Sequence, residues 1–232
     1  MVLRKWEELP KFMQREEVRE YYDILDKRHF SLKCKRVFDI IVSEILLLVL
    51  APVFIILAIA IKLDSPGPVF YKQERVTQYG KKFRIYKFRT MVNNADKIGS
   101  QVTVSNDSRI TKVGAKIRNY RLDEIGQLIN VLKGEMSFVG TRPEVLKYVK
   151  GYTPEMLATL LMPAGITSEA SIRYKEEYKL LNAADDVDKV YIEKVLPGKM
   201  KWNLESIRRF RFLREILTMI RTVLAVLGKD YN

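Results

Sequence analysis

Seventeen consecutive residues from Ile45 to Ile61, ILLLVLAPVFIILAIAI, carry no polar side chain, an interruption in an otherwise mixed pattern. Thirteen of them are Leu, Ile, Val or Phe. At roughly 0.3–0.6 kcal/mol each, transfer to a bilayer gains about 4–8 kcal/mol, against about 3 kcal/mol for an interior proline. A buried helix of a soluble protein can also be apolar all round, but this run approaches membrane length. As a helix it covers ~25 Å, short of the ~30 Å hydrocarbon layer. Lys33, Lys35 and Arg36 precede the run, and Lys62, Lys72, Arg75, Lys81 and Lys82 follow it. A spanning helix carries its basic excess on one side only. With Pro52 central, the pattern predicts a helix over 35–62 that enters a membrane, bends at Ala51-Pro52 and returns to the same face.

Elsewhere the periodicities are those of a small mixed α/β fold. Residues 1–34 form an N-terminal arm. Its first thirty residues hold no signal-peptide core, and the charge density from Pro10 to Arg28 predicts a solvated helix, or else a docking helix. Asp64-Ser65-Pro66-Gly67-Pro68 is a turn cluster. Val69–Gln73 and Phe83–Phe88 are β-prone runs, with Gln78-Tyr79-Gly80 between them, which predicts a β-hairpin. Leu122, Ile125, Ile129 and Leu132 give Arg121–Lys133 a helical stripe that Gly134 ends. Leu146–Met162 is a further helix candidate. From Leu204 to Leu227, Ile207, Phe210, Leu213, Leu217, Ile220 and Leu224 share one face, bordered by Arg208, Arg209, Arg211, Arg214 and Arg221. That pattern suits a helix lying on an anionic membrane surface or one packed on a core with solvated arginines.

Charge narrows the partners. Forty-one Lys and Arg against 28 Asp and Glu give a net charge of +13. An anionic partner is expected: nucleic acid, acidic lipid or a phosphorylated substrate. One cysteine, Cys34, precludes an internal disulfide framework, and one histidine, His29, precludes a multi-histidine zinc site. Chemistry must run on carboxylates, Lys, Arg, hydroxyls or an oxygen-bound divalent metal.

Neither a Walker loop nor a Gly-x-Gly-x-x-Gly motif is present, so side chains must hold any phosphate. Lys87 and Arg89 in Lys87-Phe88-Arg89, Arg118, and Arg142 in Gly140-Thr141-Arg142-Pro143 are placed for that, since Arg offers phosphate two parallel charge-assisted bonds. Asp123-Glu124 opens a predicted helix, where the dipole favours ionised carboxylates. The two flank one spot, suited to a divalent metal or a phosphorus centre, or they only complement the helix dipole. Asp186-Val187-Asp188 matches an Asp-x-Asp metal pattern, but Asn182–Asp188 reads more simply as a polar helix start.

These residues together resemble the monotopic phosphoglycosyl transferases, the bacterial sugar transferase family. The resemblance runs from KRVFDI (35–40) through KLDSPGPVFYKQERV (62–76), YKFRTM (86–91), DSRITKVG (107–114) and RLDEIGQLINVLKGEMSFVGTRPE (121–144) to PAGITSEASIRY (163–174). It implies a re-entrant membrane helix, amphipathic interface helices and a cytosolic catalytic domain over 63–232, at the inner face of a bacterial cytoplasmic membrane. The implied reaction moves a sugar-1-phosphate from a UDP-sugar to polyprenyl (undecaprenyl) phosphate with Mg2+, the first membrane step of a capsule, exopolysaccharide or glycoprotein pathway. On matching positions Asp123 would be the nucleophile and Glu124 its partner; the two are also the candidate metal ligands, with Glu124 either holding the metal or acting on the acceptor. Lys87, Arg118 and Arg142 would contact phosphates. The family's usual Ser-Pro break is Ala51-Pro52 here, and its usual proline after Leu-Asp-Glu-Ile is Gly126. No nucleic acid is expected, and the chain could pair with a second copy. The alternative, a basic membrane-anchored nucleic-acid-binding protein, leaves the 121–144 block without a role.

Overall fold

In the computed structural model, residues 3–95, 107–174 and 186–226 are described. The N-terminal arm is not solvated. Its helix α1 (Glu16–Asp26) buries Val18, Tyr21, Tyr22 and Leu25, one face at helical spacing. Together with Leu9 and Met13 they pack on Leu160, Leu161, Ile207 and Phe210 in the first of the cores. The arm's outward charges conceal this face in the sequence.

Helix α2 (His29–Val49) and helix α3 (Ala51–Asp64) meet at Leu50 with a 59° bend. No single helix among the described residues is long and apolar enough to cross a membrane; the bent pair passes by length and composition. The pair starts before residue 35 and ends after 62. Pro52 stands in the first turn of α3, where a missing N–H costs no helical bond. The bend therefore falls between two helices, and the proline starts the second. Along α2 the most buried positions are Leu32, Lys35, Asp39 and Ser43, the last three one helical turn apart. Val37, Ile41, Ile45, Leu48 and Val49 face outward.

Strand β1 (Phe70–Val76) pairs antiparallel with β2 (Lys82–Phe88), Phe70 opposite Phe88 and Val76 opposite Lys82. Phe83, Ile85 and Phe88 turn inward. After α4 (Lys112–Asn119), capped by the Thr111 side chain, a 3-10 turn over Leu122–Gly126 leads into α5 (Gln127–Lys133). The expected single helix over 121–133 is thus two pieces, and its buried residues are Gln127, Leu128, Asn130 and Val131, while Leu132 is exposed. Gly134, at φ 81°, ends it.

Strand β3 (Met136–Val139) runs parallel to β4 (Ala164–Thr167). Between them the expected helix over 146–162 is only α6 (Leu146–Val149) and a 3-10 turn at Met156–Leu161. Gly151 and Pro154 divide it: proline lacks the N–H the ladder needs and pushes its predecessor out of helical backbone. Then follow α7 (Glu169–Arg173), α8 (Val187–Val190), a π-helical turn at Tyr191–Val195, α9 (Leu196–Arg208) and α10 (Phe212–Val226). The amphipathic stretch from Leu204 is therefore broken at Arg209–Arg211, where Phe210 is drawn into the first core. Beyond the break, Leu213, Leu217, Ile220, Val223 and Val226 are exposed along α10, and only Thr218 is buried. Leu227 and residues 182–185 lie outside the described residues.

Candidate active site

Asp123 and Glu124 sit on the 3-10 turn between α4 and α5, entered through Arg121 in left-handed backbone at φ 54°. The turn lies close against β2. A Cβ at Gly126 would stand 2.9 Å from the Tyr86 carbonyl oxygen, so a side chain there would push the turn off the strand. That proximity lets Lys87 on β2 reach Glu124. In this chain Gly126, where the resemblance leads one to expect proline, lets the turn approach the Tyr86 carbonyl this closely.

Glu124 accepts from Lys87 Nζ at 2.9 Å and from Arg142 at 2.6 Å, both on Oε1. Burial alone would raise its pKa, but Arg142 and Lys87 outweigh burial and hold the carboxyl far below the usual range. Asp123 goes the other way. Burial, first, and then the neighbouring Glu124 charge raise it, against opposition from Lys87 and Arg118. Two adjacent carboxylates are thereby driven apart, which is how an acid or base pair acquires distinct roles. Glu124 is a fixed anion between cations; Asp123 is the more basic carboxylate.

Arg118, in the last turn of α4, donates through Nε to Thr90 at 2.8 Å and lies near enough to act on Asp123. Arg89, expected at the phosphates, is turned elsewhere. Its guanidinium donates to the carbonyls of Ser65, Pro66 and Ile61, capping the end of α3 and its following turn. Arg89 follows the end of β2, and its guanidinium is committed to these carbonyls, away from Glu124. Ala51 and Pro52 open α3, and their neighbour Leu50 reaches the site's cavity. Asp186 caps α8, and Asp188 accepts from Lys147 and Tyr148, so Asp-x-Asp is spent on local structure.

A cavity of about 650 Å³ opens beside Glu124. Arg121, Arg142 and Lys199 line it together with Glu124, and Thr167, Ser171 and Tyr174 add hydroxyls. Arg121 and Lys199 were not singled out in the sequence. Lys199 follows the π-helical turn and Pro197-Gly198, and a Cβ on Gly198 would collide with the Tyr174 hydroxyl, so α7 and α9 meet tightly at this wall. No local motif marks it. Among the described residues no cluster of three or more His, Cys, Asp or Glu is found. Mg2+ commonly takes one or two carboxylates together with substrate phosphates and water, and Asp123 with Glu124 meets that requirement.

Glu124, paired with Lys87 and Arg142, thus faces a cavity that Arg121 and Lys199 also line, with Asp123 beside it on the turn. The family model described as bacterial sugar transferase matches residues 30–229, and the chain belongs to that family. A UDP-N-acetylgalactosamine-undecaprenyl-phosphate N-acetylgalactosaminephosphotransferase of Aeromonas hydrophila is 34% identical over 197 residues, 83% of this chain and 43% of that protein. A UDP-glucose:undecaprenyl-phosphate glucose-1-phosphate transferase of Caulobacter vibrioides is 32% identical over 199 residues, 84% of this chain and 70% of that protein. The protein of the same description from Escherichia coli is 42% identical over 142 residues, 60% of this chain and 30% of that protein. The chain thus spans less than half the length of the Aeromonas and Escherichia relatives.

Proposed function

We propose that the protein transfers a sugar-1-phosphate from a UDP-sugar to polyprenyl phosphate, releasing UMP, at the inner face of a bacterial cytoplasmic membrane. The observation that carries this is Glu124 held between Lys87 and Arg142 beside a cavity that Arg121 and Lys199 also line, with Asp123 next to it on the same turn. Relatives with both hexosamine and glucose in their names support the reaction class and leave the sugar open. The inverted polarity of α2 and the exposed apolar stripe of α10 support the membrane as the working surface, with α2 and α3 re-entrant.

Asp123 attacks the sugar-bearing phosphorus of the donor. The phosphoanhydride bond breaks, UMP leaves with the bonding pair, and an aspartyl phosphosugar remains. A phosphate oxygen of the polyprenyl phosphate then attacks the same phosphorus. The acyl-phosphate bond breaks, the diphosphate-linked sugar forms, and the carboxylate is restored. Splitting one displacement into two is the gain of nucleophilic catalysis. Arg142, Lys87 and Arg118 bind and orient the phosphates. Mg2+ held by Asp123 and Glu124 would supply neutralisation of the diphosphate.

The test is intact-protein mass spectrometry after incubation with a panel of UDP-sugars and no acceptor. A phosphosugar adduct is expected on the wild type with the accepted sugar and absent from Asp123→Asn. Absence of any adduct, with intersecting double-reciprocal lines during turnover, supports direct transfer instead and overturns the covalent step.

A further inference from the structure

We propose that the apolar half of the cavity beside Glu124 takes the first isoprene units of the lipid acceptor. The chain then leaves between the end of α2 and the last turn of α10. The inference rests on the function proposed above and assigns a place to one of its two substrates.

The lining of the cavity is of two kinds. Arg121, Glu124, Arg142 and Lys199 carry charge. Leu46, Leu50, Phe138 and Ile166 belong to one apolar cluster, and Ala225 and Val226 join them in the lining. A UDP-sugar is polar along its whole length: uracil, ribose, diphosphate and hexose. It has no aliphatic part to cover the apolar lining. A polyprenyl phosphate has both kinds of surface in one molecule, an anionic head and a hydrocarbon chain. Burying the chain against this wall removes apolar area from water on both partners.

The apolar side is also continuous with the outside of the molecule. Leu50 is the residue at the bend between α2 and α3. Val226 lines the cavity and is nevertheless 62% exposed, so it stands at the rim. Leu48 and Val49 on α2 and Ile220 and Val223 on α10, the two helices whose ends reach the cavity, are all exposed. A hydrocarbon chain seated on the apolar lining can therefore leave along these helices.

The outer wall is held in place by polar contacts. Thr222 on α10 shares a 2.7 Å hydrogen bond with Thr167 of β4, and Thr218 and Arg221 both donate to Glu169. These contacts fix α10 against the body one turn before Ala225. Ala225, the smallest apolar side chain in the lining, follows them.

The test separates the two half-reactions in Ala225→Trp, with the full chain in nanodiscs. The indole fills the apolar half and leaves the charged half intact. Adduct formation and UMP release from the UDP-sugar alone should stay within about twofold of the wild type. The KM for polyprenyl phosphate should rise by at least about tenfold, as expected from excluding a few buried methylenes. Ala225→Leu is the gentler variant and should show the same split, less strongly. On the wild type, a diazirine-bearing isoprenyl phosphate should label residues 46–50 and 222–226 on photolysis. An unchanged acceptor KM in a folded variant, or labels confined to other elements, overturns the assignment. Loss of the donor half-reaction in step with the acceptor would give the apolar wall to the donor instead and overturn it equally. If the wild type forms no adduct with any UDP-sugar, the covalent reading fails; the photolabelling pattern still reports on the lipid path.

Discussion

Helices α1 and α2 follow one another in the chain with the same periodicity and opposite polarity. On α1 the inward positions are Val18, Tyr21, Tyr22 and Leu25, and Glu16, Glu17, Glu20 and Asp26 face out. On α2 the deepest positions include Lys35, Asp39 and Ser43, with Phe38, Val42 and Leu46 flanking them, while Ile41, Ile45 and Leu48 face out. Leu48 is 71% exposed and Lys35 only 2%. In water such an arrangement is unfavourable twice over, since apolar area is left hydrated and charge is desolvated. The membrane placement proposed above accounts for it, with lipid on the outward face of α2 and the polar side chains turned to partners within the body. The amphipathic period therefore locates the buried face of each helix; the identity of the residues on the other face tells which solvent that helix meets.

The largest effect that would break this contrast is at Lys35. Its amine donates to the Val139 carbonyl at 2.8 Å and pairs with Glu215 of α10, while Asp39 accepts from the Phe138 N–H. Lys35→Met leaves Glu215 buried without its cation, and breaking a buried pair from one side costs about 3–5 kcal/mol. Burial already raises the Glu215 pKa against the pull of Lys35, with Asp39 adding to the rise. Without Lys35 the folded value goes higher still above the ordinary 4.5. A carboxyl raised in the folded state contributes stability at low pH that is lost as pH rises through the folded value. The deficit of Lys35→Met, read from unfolding midpoints in detergent, should therefore grow with pH. A deficit that is flat in pH would mean that Glu215 does not feel the loss. Arg142 follows Val139 by three residues, so turnover should fall as well.

Next come Leu25→Ala and Ile41→Lys, one on each helix. Leu25→Ala empties core volume and should cost about 2–5 kcal/mol of folding stability, the same with or without lipid. Ile41→Lys changes an outward position. It should leave stability in detergent within about 0.5 kcal/mol and weaken vesicle flotation, by about 3 kcal/mol if the site is deep in the bilayer. Equal flotation of Ile41→Lys and wild type would remove lipid from the account of α2.

Much of this was open to reading from the chain itself. Asp123, Glu124 and Arg142 lie within one block, and the apolar run with its proline is contiguous, so both were legible without tertiary contacts. The burial of α1 was legible in principle at positions 18, 21, 22 and 25, but the charges between them gave a solvated reading. What the sequence could not supply depends on distant pairings. Lys199 reaches the cavity from a helix 75 residues beyond Glu124. Arg121 enters left-handed backbone that no residue type announces, and Arg89 caps α3, more than twenty residues back in the chain. The single helices expected over 146–162 and 204–227 failed for different reasons: a proline and a glycine in the first, the burial of Phe210 in the second.

Between the two regions lies the carboxylate pair, whose acid limb is a smaller and sharper test. Asp123 must be ionised to attack. Burial and the Glu124 charge raise its pKa above the ordinary aspartate value of 3.8, although Lys87 and Arg118 oppose them. The rate of adduct formation should thus fall, with decreasing pH, through a value above that figure. Glu124, held well below its own range, stays ionised across the same interval. A quenched-flow profile with its limb at or below the ordinary aspartate value would contradict the environment described for Asp123.

The smallest expected effect is on the outside of α1. Arg208 meets Glu20 and Glu155 at 3.3 Å each and lies over the Tyr21 ring at 4.9 Å, but all three charged side chains are exposed. Such pairs are worth roughly 0–1 kcal/mol, and salt screens them. Arg208→Gln removes both pairs, yet Glu155 keeps the hydrogen bond from the Tyr21 hydroxyl. Its stability change should stay below about 1 kcal/mol and shrink as salt is raised. Lys35→Met and Arg208→Gln each delete one cation from a helix contact, one facing the body and one facing water. If the Arg208 variant were destabilised as much as the Lys35 variant, at low and high salt alike, the outer face of α1 would not be in water. The opposite polarities of the two helices would then have to come from something other than their solvents.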